Sequence, residues 1–282
     1  MTATWSRSTN SGCLREVPVT RPLEDAVVGI SISEGEDLGR YGLTSADVNR
    51  VTVELCRRLI GLGAQVVLGH KWMPGGVMQA VARFAQAYQS GANRPIIHNY
   101  LGWPDRAALS GAERATLQTI VNIVEASDRP EWHEADGRTR ALTRMREEMT
   151  DINHARVILS GRWVPQPGRS VAGAVEEAAL TATDGKGIYL SRMMGGAAAN
   201  LVAVLKGERP PATAADRMPV HGERIEQLRQ CGLERLSEQS GLSVKDMNAL
   251  FEAQNIDTVM HLASRGLRNL LQQGRLSGSK RR

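Results

Sequence analysis

The fold is decided by residues 155–200, which read ARVILSGRWVPQPGRSVAGAVEEAALTATDGKGIYLSRMMGGAAAN. An apolar run at the start of this stretch ends on a glycine and a polar loop, after which a helix is predicted to open at Gly173. A second short run, 187–190, leads into Gly195-Gly196 and another helix rich in small and apolar residues. Strand, glycine loop and helix start thus occur twice, an order typical of α/β proteins with a parallel sheet. Because such a sheet collects backbone N–H groups and helix N-termini at one edge, we expect a phosphate-binding site there.

The composition limits the class of protein. The chain has 282 residues, of which 41% are hydrophobic, so a sizeable core is expected and disorder only near the ends. The net charge of +5 fits an anionic small ligand as well as nucleic acid and does not decide between them. The three cysteines are far apart and odd in number, which favours a reducing, cytoplasmic location. No apolar run reaches the roughly 18 residues of a membrane span, so we expect no membrane partner.

Six apolar runs of strand length alternate with helical patterns along the chain. The predicted strands lie at 26–33, 64–69, 95–99, 120–126, 155–159 and 187–190. This alternation predicts an α/β fold, a Rossmann-like, doubly wound and mainly parallel sheet with right-handed crossovers. Beyond the last strand the sequence is helical, which predicts a C-terminal helical appendage.

The sequence divides into three regions. Residues 1–25 are polar and predict a flexible N-terminal arm. Residues 26–206 form the predicted Rossmann-like nucleotide-binding domain. Residues 207–282 comprise a proline-containing linker, the C-terminal helices and a short basic tail.

Four loops are predicted to lie beyond the carboxyl ends of the strands, where parallel sheets bind their ligands. Their glycines allow the backbone to approach a ligand closely, and their arginines suit phosphate oxygens. The candidate ligand-binding residues are Ser31, Ser33, Gly69, Gly75, Gly76, Gly161, Arg162, Arg169, Gly173, Glu176, Gly195 and Gly196. A plain capping role for the two serines, and an ordinary turn at Gly75-Gly76, remain open alternatives.

Two adjacent acids, Glu176 and Glu177, fall in the first turn of a predicted helix, directly after a glycine loop. The helix dipole alone explains a carboxylate at this position. Alternatively, one carboxylate accepts hydrogen bonds from ribose hydroxyls or stabilises an oxocarbenium-like centre. Arg146, on the helix before the fifth strand, is the candidate partner, and Arg144 is near enough in sequence to compete for that role.

Motifs of several common enzyme classes are missing from the sequence. The six histidines have no HxxxH or HxH spacing, so we expect no metal site and no cofactor. There is no GxSxG elbow and no phosphate-binding GxxxxGK[ST] loop. The C-terminal helices resemble a helix-turn-helix only weakly, because their basic residues are scattered, and we do not expect nucleic acid as a partner.

Several short motifs, in order, resemble the SLOG superfamily, a Rossmann-like group that includes LOG-type phosphoribohydrolases, DprA and ADP-ribose-sensing domains. The motifs are GISISEGEDLGRYGL at 29–43, LTRMREEMT at 142–150, Gly161-Arg162, GAVEEA at 173–178 and GGAA at 195–198. Together with the C-terminal helical piece, they extend the resemblance over nearly all of the chain after residue 25.

The resemblance implies a nucleotide-derived small molecule as ligand and a homodimer. In LOG enzymes an arginine and a glutamate assist cleavage of the base–ribose bond, and these positions fall on Arg146 and Glu177. The phosphate position falls on Gly173. The chain departs from LOG enzymes in reading RSVAGAVEE where they have PGGxGTxxE, and Lys71 stands where related sequences have an acid.

We therefore expect a protein that binds ADP-ribose or a nucleoside phosphate at the carboxyl edge of the sheet, as a sensor or processing module. One alternative is a LOG-like N-glycosidase, or phosphoribohydrolase, acting on a nucleoside monophosphate. Another is a structural or partner-binding protein whose pocket is vestigial. The last is favoured if Arg162 and Glu177 are bound to core groups with no cavity between them.

Overall fold

A computed structural model describes residues 21–70, 76–88, 95–102, 110–118, 121–127, 137–166, 171–208, 210 and 222–276. The strands in this part of the chain are β1 Val27–Ser31, β2 Gln65–Leu68, β3 Ile97–Leu101, β4 Val121–Glu125, β5 Ala155–Ile158 and β6 Gly187–Leu190. The α-helices are α1 Ser45–Gly61, α2 Val77–Tyr88, α3 Gly111–Leu117, α4 Gly137–Ile152, α5 Gly173–Thr183, α6 Gly196–Leu205, α7 Gly222–Gln239, α8 Val244–Phe251 and α9 Ile256–Gln272.

The six strands form one parallel sheet in the order β4-β3-β2-β1-β5-β6. The chain builds β2, β3 and β4 outward on one side of β1 and then returns to place β5 and β6 on the other side. The strand order therefore reverses between β1 and β5, and a crevice for ligands is expected beyond the carboxyl ends of these two strands. This architecture confirms the predicted doubly wound sheet, although the first strand is shorter than the predicted run 26–33.

Local sequence signals explain how the helices begin. Thr44 and Asp47 form a reciprocal capping box at the start of α1, and the Thr44 N–H donates to the Asp47 carboxylate at 2.8 Å. Ser243 likewise accepts from the Asp246 N–H at 3.1 Å at the start of α8. Both pairs are the ones that the S/T-x-x-D spacing predicts.

The C-terminal helices pack on the β6 edge of the sheet domain. Helix α7 lies along α5 and α6, while α8 and α9 contact β6. Tyr189 of β6 is fully buried between these layers and donates to the Ser240 carbonyl at 2.9 Å. The predicted appendage therefore shares a core with the sheet domain. None of the helices in the described ranges is both long enough and apolar enough to span a bilayer.

The two connecting regions lie mainly outside the described residues. Of the predicted arm 1–25, residues 21–25 are described, and Leu23 is fully buried with its N–H bonded to the Leu62 carbonyl at 2.9 Å. The prediction of a flexible arm therefore applies only to residues 1–20. Most of the predicted linker 207–220 also falls outside the described ranges.

Candidate functional site

A cavity of about 680 Å³ opens beyond the carboxyl ends of β1 and β2, next to the point where the strand order reverses. Its walls come from the starts of α2 and α5, one face of α4 and the loop after β5. The volume lies within the range of about 300–1,000 Å³ that is typical of small-molecule sites. Eight of the predicted residues line it: Ser31, Ser33, Gly69, Gly76, Arg146, Arg162, Gly173 and Glu177.

Glu177 is held in place at one wall of the cavity by groups from three elements. The Ser31 hydroxyl donates to its Oε2, and Arg156 Nη1 donates to the same oxygen at 2.9 Å. Arg146 Nε lies 3.7 Å from the other carboxylate oxygen. The Glu177 side chain is 13% exposed, so its carboxylate is fixed by these contacts and still faces the cavity.

Arg156 lies within β5, and the apolar pattern of 155–159 does not predict it as a site residue. It is fully buried, and Nη1 also donates to the Ser31 hydroxyl at 3.0 Å. The parallel register places it beside Gly29 of β1, where an added Cβ would lie only 3.0 Å from the guanidinium carbon. Gly29 therefore leaves room for this side chain. The available signal was the charge itself, because a buried arginine requires a carboxylate partner.

Glu176, predicted to bind ligand, lies outside the cavity lining and is only 1% exposed. Its Oε2 accepts from Arg146 Nη1, and its Oε1 accepts from the Thr143 hydroxyl at 2.8 Å. Successive helical residues point about 100° apart, so the two adjacent glutamates face different neighbours. The two glutamates therefore have different contacts: Glu176 accepts from Arg146, and Glu177 faces the cavity.

The start of α5 opens on the cavity. The N-cap residue is Ala172, and among the described residues no side chain accepts from the first N–H groups of this helix. Ala172, Gly173 and Ala174 all line the cavity. A Cβ on Gly173 would lie 3.0 Å from Arg146 Nη2, so the glycine allows the guanidinium to approach the helix start. The exposed Arg162 lines the same cavity and has no ionic partner among the described residues. Among the described residues, these helix N–H groups and the Arg162 guanidinium have no protein acceptor, and both are chemically suited to an anion.

The start of α6 is used differently, although Gly195 and Gly196 were predicted to bind ligand together with Gly161. These three glycines lie outside the cavity lining. The Gly161 carbonyl accepts from the Ala197 N–H at 2.7 Å, and a Cβ on Gly196 would lie 2.3 Å from that carbonyl oxygen. In the structure, these glycines pack the loops after β5 and β6 against each other.

Two acids from the loop after β1 bind the backbone N–H groups of neighbouring loops. Asp37 accepts from the Gly196 N–H at 2.7 Å, at the start of α6. Glu36 accepts from the N–H groups of Trp163 and Val164 at 3.0 and 2.9 Å. The protein therefore supplies its own carboxylates to these backbone groups.

His70, the second residue after β2, also lines the cavity, and no sequence motif predicts this position. Burial lowers the pKa of His70 from its ordinary value, while the negative charge of Glu177 opposes that shift. A neutral imidazole can donate and accept a hydrogen bond within the cavity. Gly75 and Arg169, two predicted ligand-binding residues, lie outside the described residues, as does Lys71.

Three other polar or charged side chains, described next, form their contacts away from the cavity. Arg192 Nε donates to Glu252 at 2.8 Å, which ties the turn after β6 to α8. Arg144 Nε donates to Glu148 at 3.0 Å on the outer side of α4, so it does not compete with Arg146 for the cavity. His98 contacts Gln65 through its ring nitrogen at 2.9 Å and does not line the cavity.

The fold and the cavity define a Rossmann-like α/β protein with a charged crevice at the reversal of strand order. The family model described as SLOG cluster2 matches residues 22–273, and the chain belongs to this family. The match confirms the resemblance and points to a nucleotide-related function with a nucleotide-derived ligand. No curated protein matches the sequence. The predicted homodimer stays a prediction.

Proposed function

We propose that the cavity binds the phosphate of a nucleotide-derived ligand, ADP-ribose or a nucleoside phosphate, as a sensor or processing module. The observation that carries this proposal is the uncapped start of α5, which opens on the cavity beside Arg146 and Arg162. Backbone N–H groups at Gly173 and Ala174 then donate to phosphate oxygens, and the helix dipole favours the negative charge. Arg162 adds a charged donor from the loop that connects β5 to α5.

The balance of charges around the cavity supports an anion. Among the described residues, three arginines, Arg138, Arg146 and Arg162, line it together with two glutamates, Glu34 and Glu177. Positive groups in a partly enclosed cavity raise the local concentration of anionic ligands. The cavity thus attracts a phosphate more strongly than a neutral sugar.

Apolar side chains form another part of the lining and suit the base and the ribose ring. They are Ile30, Ile32, Val48, Val77, Leu142, Met145, Val164 and Val171. A mostly apolar wall with a few placed polar groups is the usual composition of small-molecule sites. The phosphate end and the apolar wall together favour an amphipathic nucleotide over inorganic phosphate alone.

Thermal unfolding with AMP, ADP-ribose and inorganic phosphate tests the proposal. A ligand at 100 times its Kd stabilises the folded state by about 2.7 kcal/mol and raises the melting temperature. We expect ADP-ribose or AMP to raise it and inorganic phosphate to raise it less. The absence of any shift in melting temperature across the panel would reject the proposal and favour a vestigial pocket. The structure itself does not favour that alternative, because Arg162 and Glu177 both line an open cavity.

A second candidate is hydrolysis of the base–ribose bond, as in a LOG-like N-glycosidase. The observation that favours it is the Glu177 carboxylate, which is fixed by Ser31 and Arg156 and faces the cavity. A fixed carboxylate stabilises an oxocarbenium-like centre in the transition state. Arg146 lies on the other side of this carboxylate.

Release of free base from AMP, followed by chromatography, tests this second candidate. We expect Glu177→Gln to abolish the release, because the amide carries no negative charge for the developing cation. The matched control is Glu147→Gln, which changes a surface glutamate of α4 that pairs with Arg144. Base release by Glu177→Gln at the rate of the unsubstituted protein would reject the role.

A further inference from the structure

The C-terminal helices contribute a charged residue to the network behind the cavity. Arg224 lies in the first turn of α7, the helix that packs along α5. Its Nη2 lies 3.7 Å from Glu176 Oε1, and its Nη1 donates to Gln227 at 3.1 Å. The Arg224 side chain is 25% exposed, so a substitution there is less disruptive than one in the core. Arg224 does not line the cavity.

Arg224 is the outer end of a row of alternating charges that leads to the cavity. In order along the row, these groups are Arg224, Glu176, Arg146, Glu177 and Arg156. Each glutamate lies between two arginines, and the four ion pairs connect α5 to α7, to α4 twice and to β5. The row therefore links α7 to the carboxylate that faces the cavity.

The position of Arg146 depends on how its two glutamates divide its charge. Arg146 Nη1 donates to Glu176, whereas its Nε is buried without a hydrogen-bond acceptor, 3.7 Å from Glu177. Arg224 neutralises part of the Glu176 charge that Arg146 would otherwise neutralise alone. Without Arg224, Glu176 attracts Arg146 more strongly and the network loses one positive charge. Both effects disfavour an anion in the cavity.

We propose that Arg224 is a positioning residue that, through Glu176, keeps the Arg146 guanidinium available at the start of α5. The proposal rests on the proposed function, because an anion in the cavity competes with Glu176 for Arg146. By reciprocity, a ligand that draws on Arg146 changes how strongly α7 is held to α5. The C-terminal helices are then energetically coupled to the cavity.

Two measurements on Arg224→Gln test the proposal, one with ligand and one without. The first is the ¹⁵N–¹H NMR resonance of the Arg146 Nε–H group, assigned by its loss in Arg146→Lys. The second is the Kd for ADP-ribose and AMP by calorimetry. We expect the resonance to shift and the affinity to fall about fivefold, the lower end of typical couplings between sites. Arg224→Lys keeps the charge and is expected to recover most of the affinity.

Arg229→Gln is the matched control, because Arg229 lies on the same helix and pairs only weakly with Glu226, at 4.0 Å. We expect it to leave both measurements unchanged. If Arg224→Gln does not fold, as judged by circular dichroism, Arg224→Met is measured in its place, because methionine preserves the aliphatic stem.

The outcomes separate this proposal from the proposed function. An unmoved Arg146 resonance in Arg224→Gln overturns the positioning role whether or not a nucleotide binds. An unchanged Kd in that variant also overturns it, while binding by the unsubstituted protein leaves the proposed function standing. If the unsubstituted protein binds neither probe, the proposed function fails and the NMR resonance alone decides the role of Arg224.

Discussion

The starts of α5 and α6 look alike in sequence and differ in the structure. Each helix follows a strand and a loop with glycine, and each begins with small residues. At α6 the Gly196 N–H is bound to Asp37 and the Ala197 N–H to the Gly161 carbonyl. At α5 no side chain in the described ranges accepts from the first N–H groups, and the first residues of the helix line the cavity.

Two glycine-rich helix starts of the same chain therefore differ in whether the protein supplies its own acceptor, and only a start without one is suited to an external anion. The acids of the loop after β1 reach α6 and the loop after β5, but none of them caps α5. A glycine at α6 is therefore a packing residue, whereas Gly173 at α5 lines the cavity, where we propose that the ligand binds. Four substitutions test this division.

The largest expected effect on stability comes from Gly196→Ala. The new Cβ would lie 2.3 Å from the Gly161 carbonyl oxygen, and Gly196 has a φ of 61°. Overpacking costs about 1–3 kcal/mol and the left-handed backbone about 1–2 kcal/mol. We expect the free energy of unfolding to fall by about 3 kcal/mol or more, as measured by urea denaturation. Gly207→Ala isolates the backbone contribution, because Gly207 has a φ of 70° and an added Cβ would have no atom within 4 Å. An equal loss of unfolding free energy in both variants would show that crowding at Gly196 contributes nothing.

Gly173→Ala is expected to act on binding instead. Its Cβ would push the Arg146 guanidinium, 3.0 Å away, from the start of α5. We expect the Kd for ADP-ribose to rise about tenfold, equivalent to about 1.4 kcal/mol, with a smaller change in stability. Gly111→Ala, at the start of α3 with open space around it, is the control. Unchanged affinity in Gly173→Ala would show that the phosphate does not bind at the start of α5.

Asp37→Ala is expected to cost about 1 kcal/mol of stability, the usual value for a lost helix cap. The affinity for ADP-ribose is expected to stay the same, because Asp37 lies outside the cavity lining. Asp37→Asn keeps an acceptor for the Gly196 N–H and is expected to lose less stability. A loss of affinity as large as that of Gly173→Ala would contradict the separation of the two helix starts.

The smallest expected effect comes from Arg162→Gln. This exposed side chain contributes a screened charge at the cavity, so we expect the affinity for ADP-ribose to fall about threefold at low ionic strength and less at high ionic strength. The free energy of unfolding is expected to stay unchanged. Arg40→Gln, an exposed arginine outside the cavity lining, serves as the control. Equal losses in both variants would mean that general charge, and not the position of Arg162, attracts the ligand.

Much of the candidate site was predictable because the chain order of its motifs matches a known superfamily. Ser31, Arg146, Gly173 and Glu177 were predicted as site residues, and all of them line the cavity. Arg156 was not predicted, because its sequence neighbours are those of an ordinary apolar strand and do not indicate a site residue. Its partner Glu177 lies on another element, and the register with Gly29 that makes room for it is a property of the sheet.

The amino-acid pattern alone specifies the alternation of strands and helices, since burial of apolar runs between helices allows few other arrangements. It also determined which loops meet at one edge, because parallel strands place all their carboxyl ends together. Long-range packing, in contrast, sets which helix start is open and which glutamate faces the cavity. Those outcomes depend on contacts of a few ångströms between residues more than 100 positions apart, such as Asp37 with Gly196 and Ser31 with Glu177.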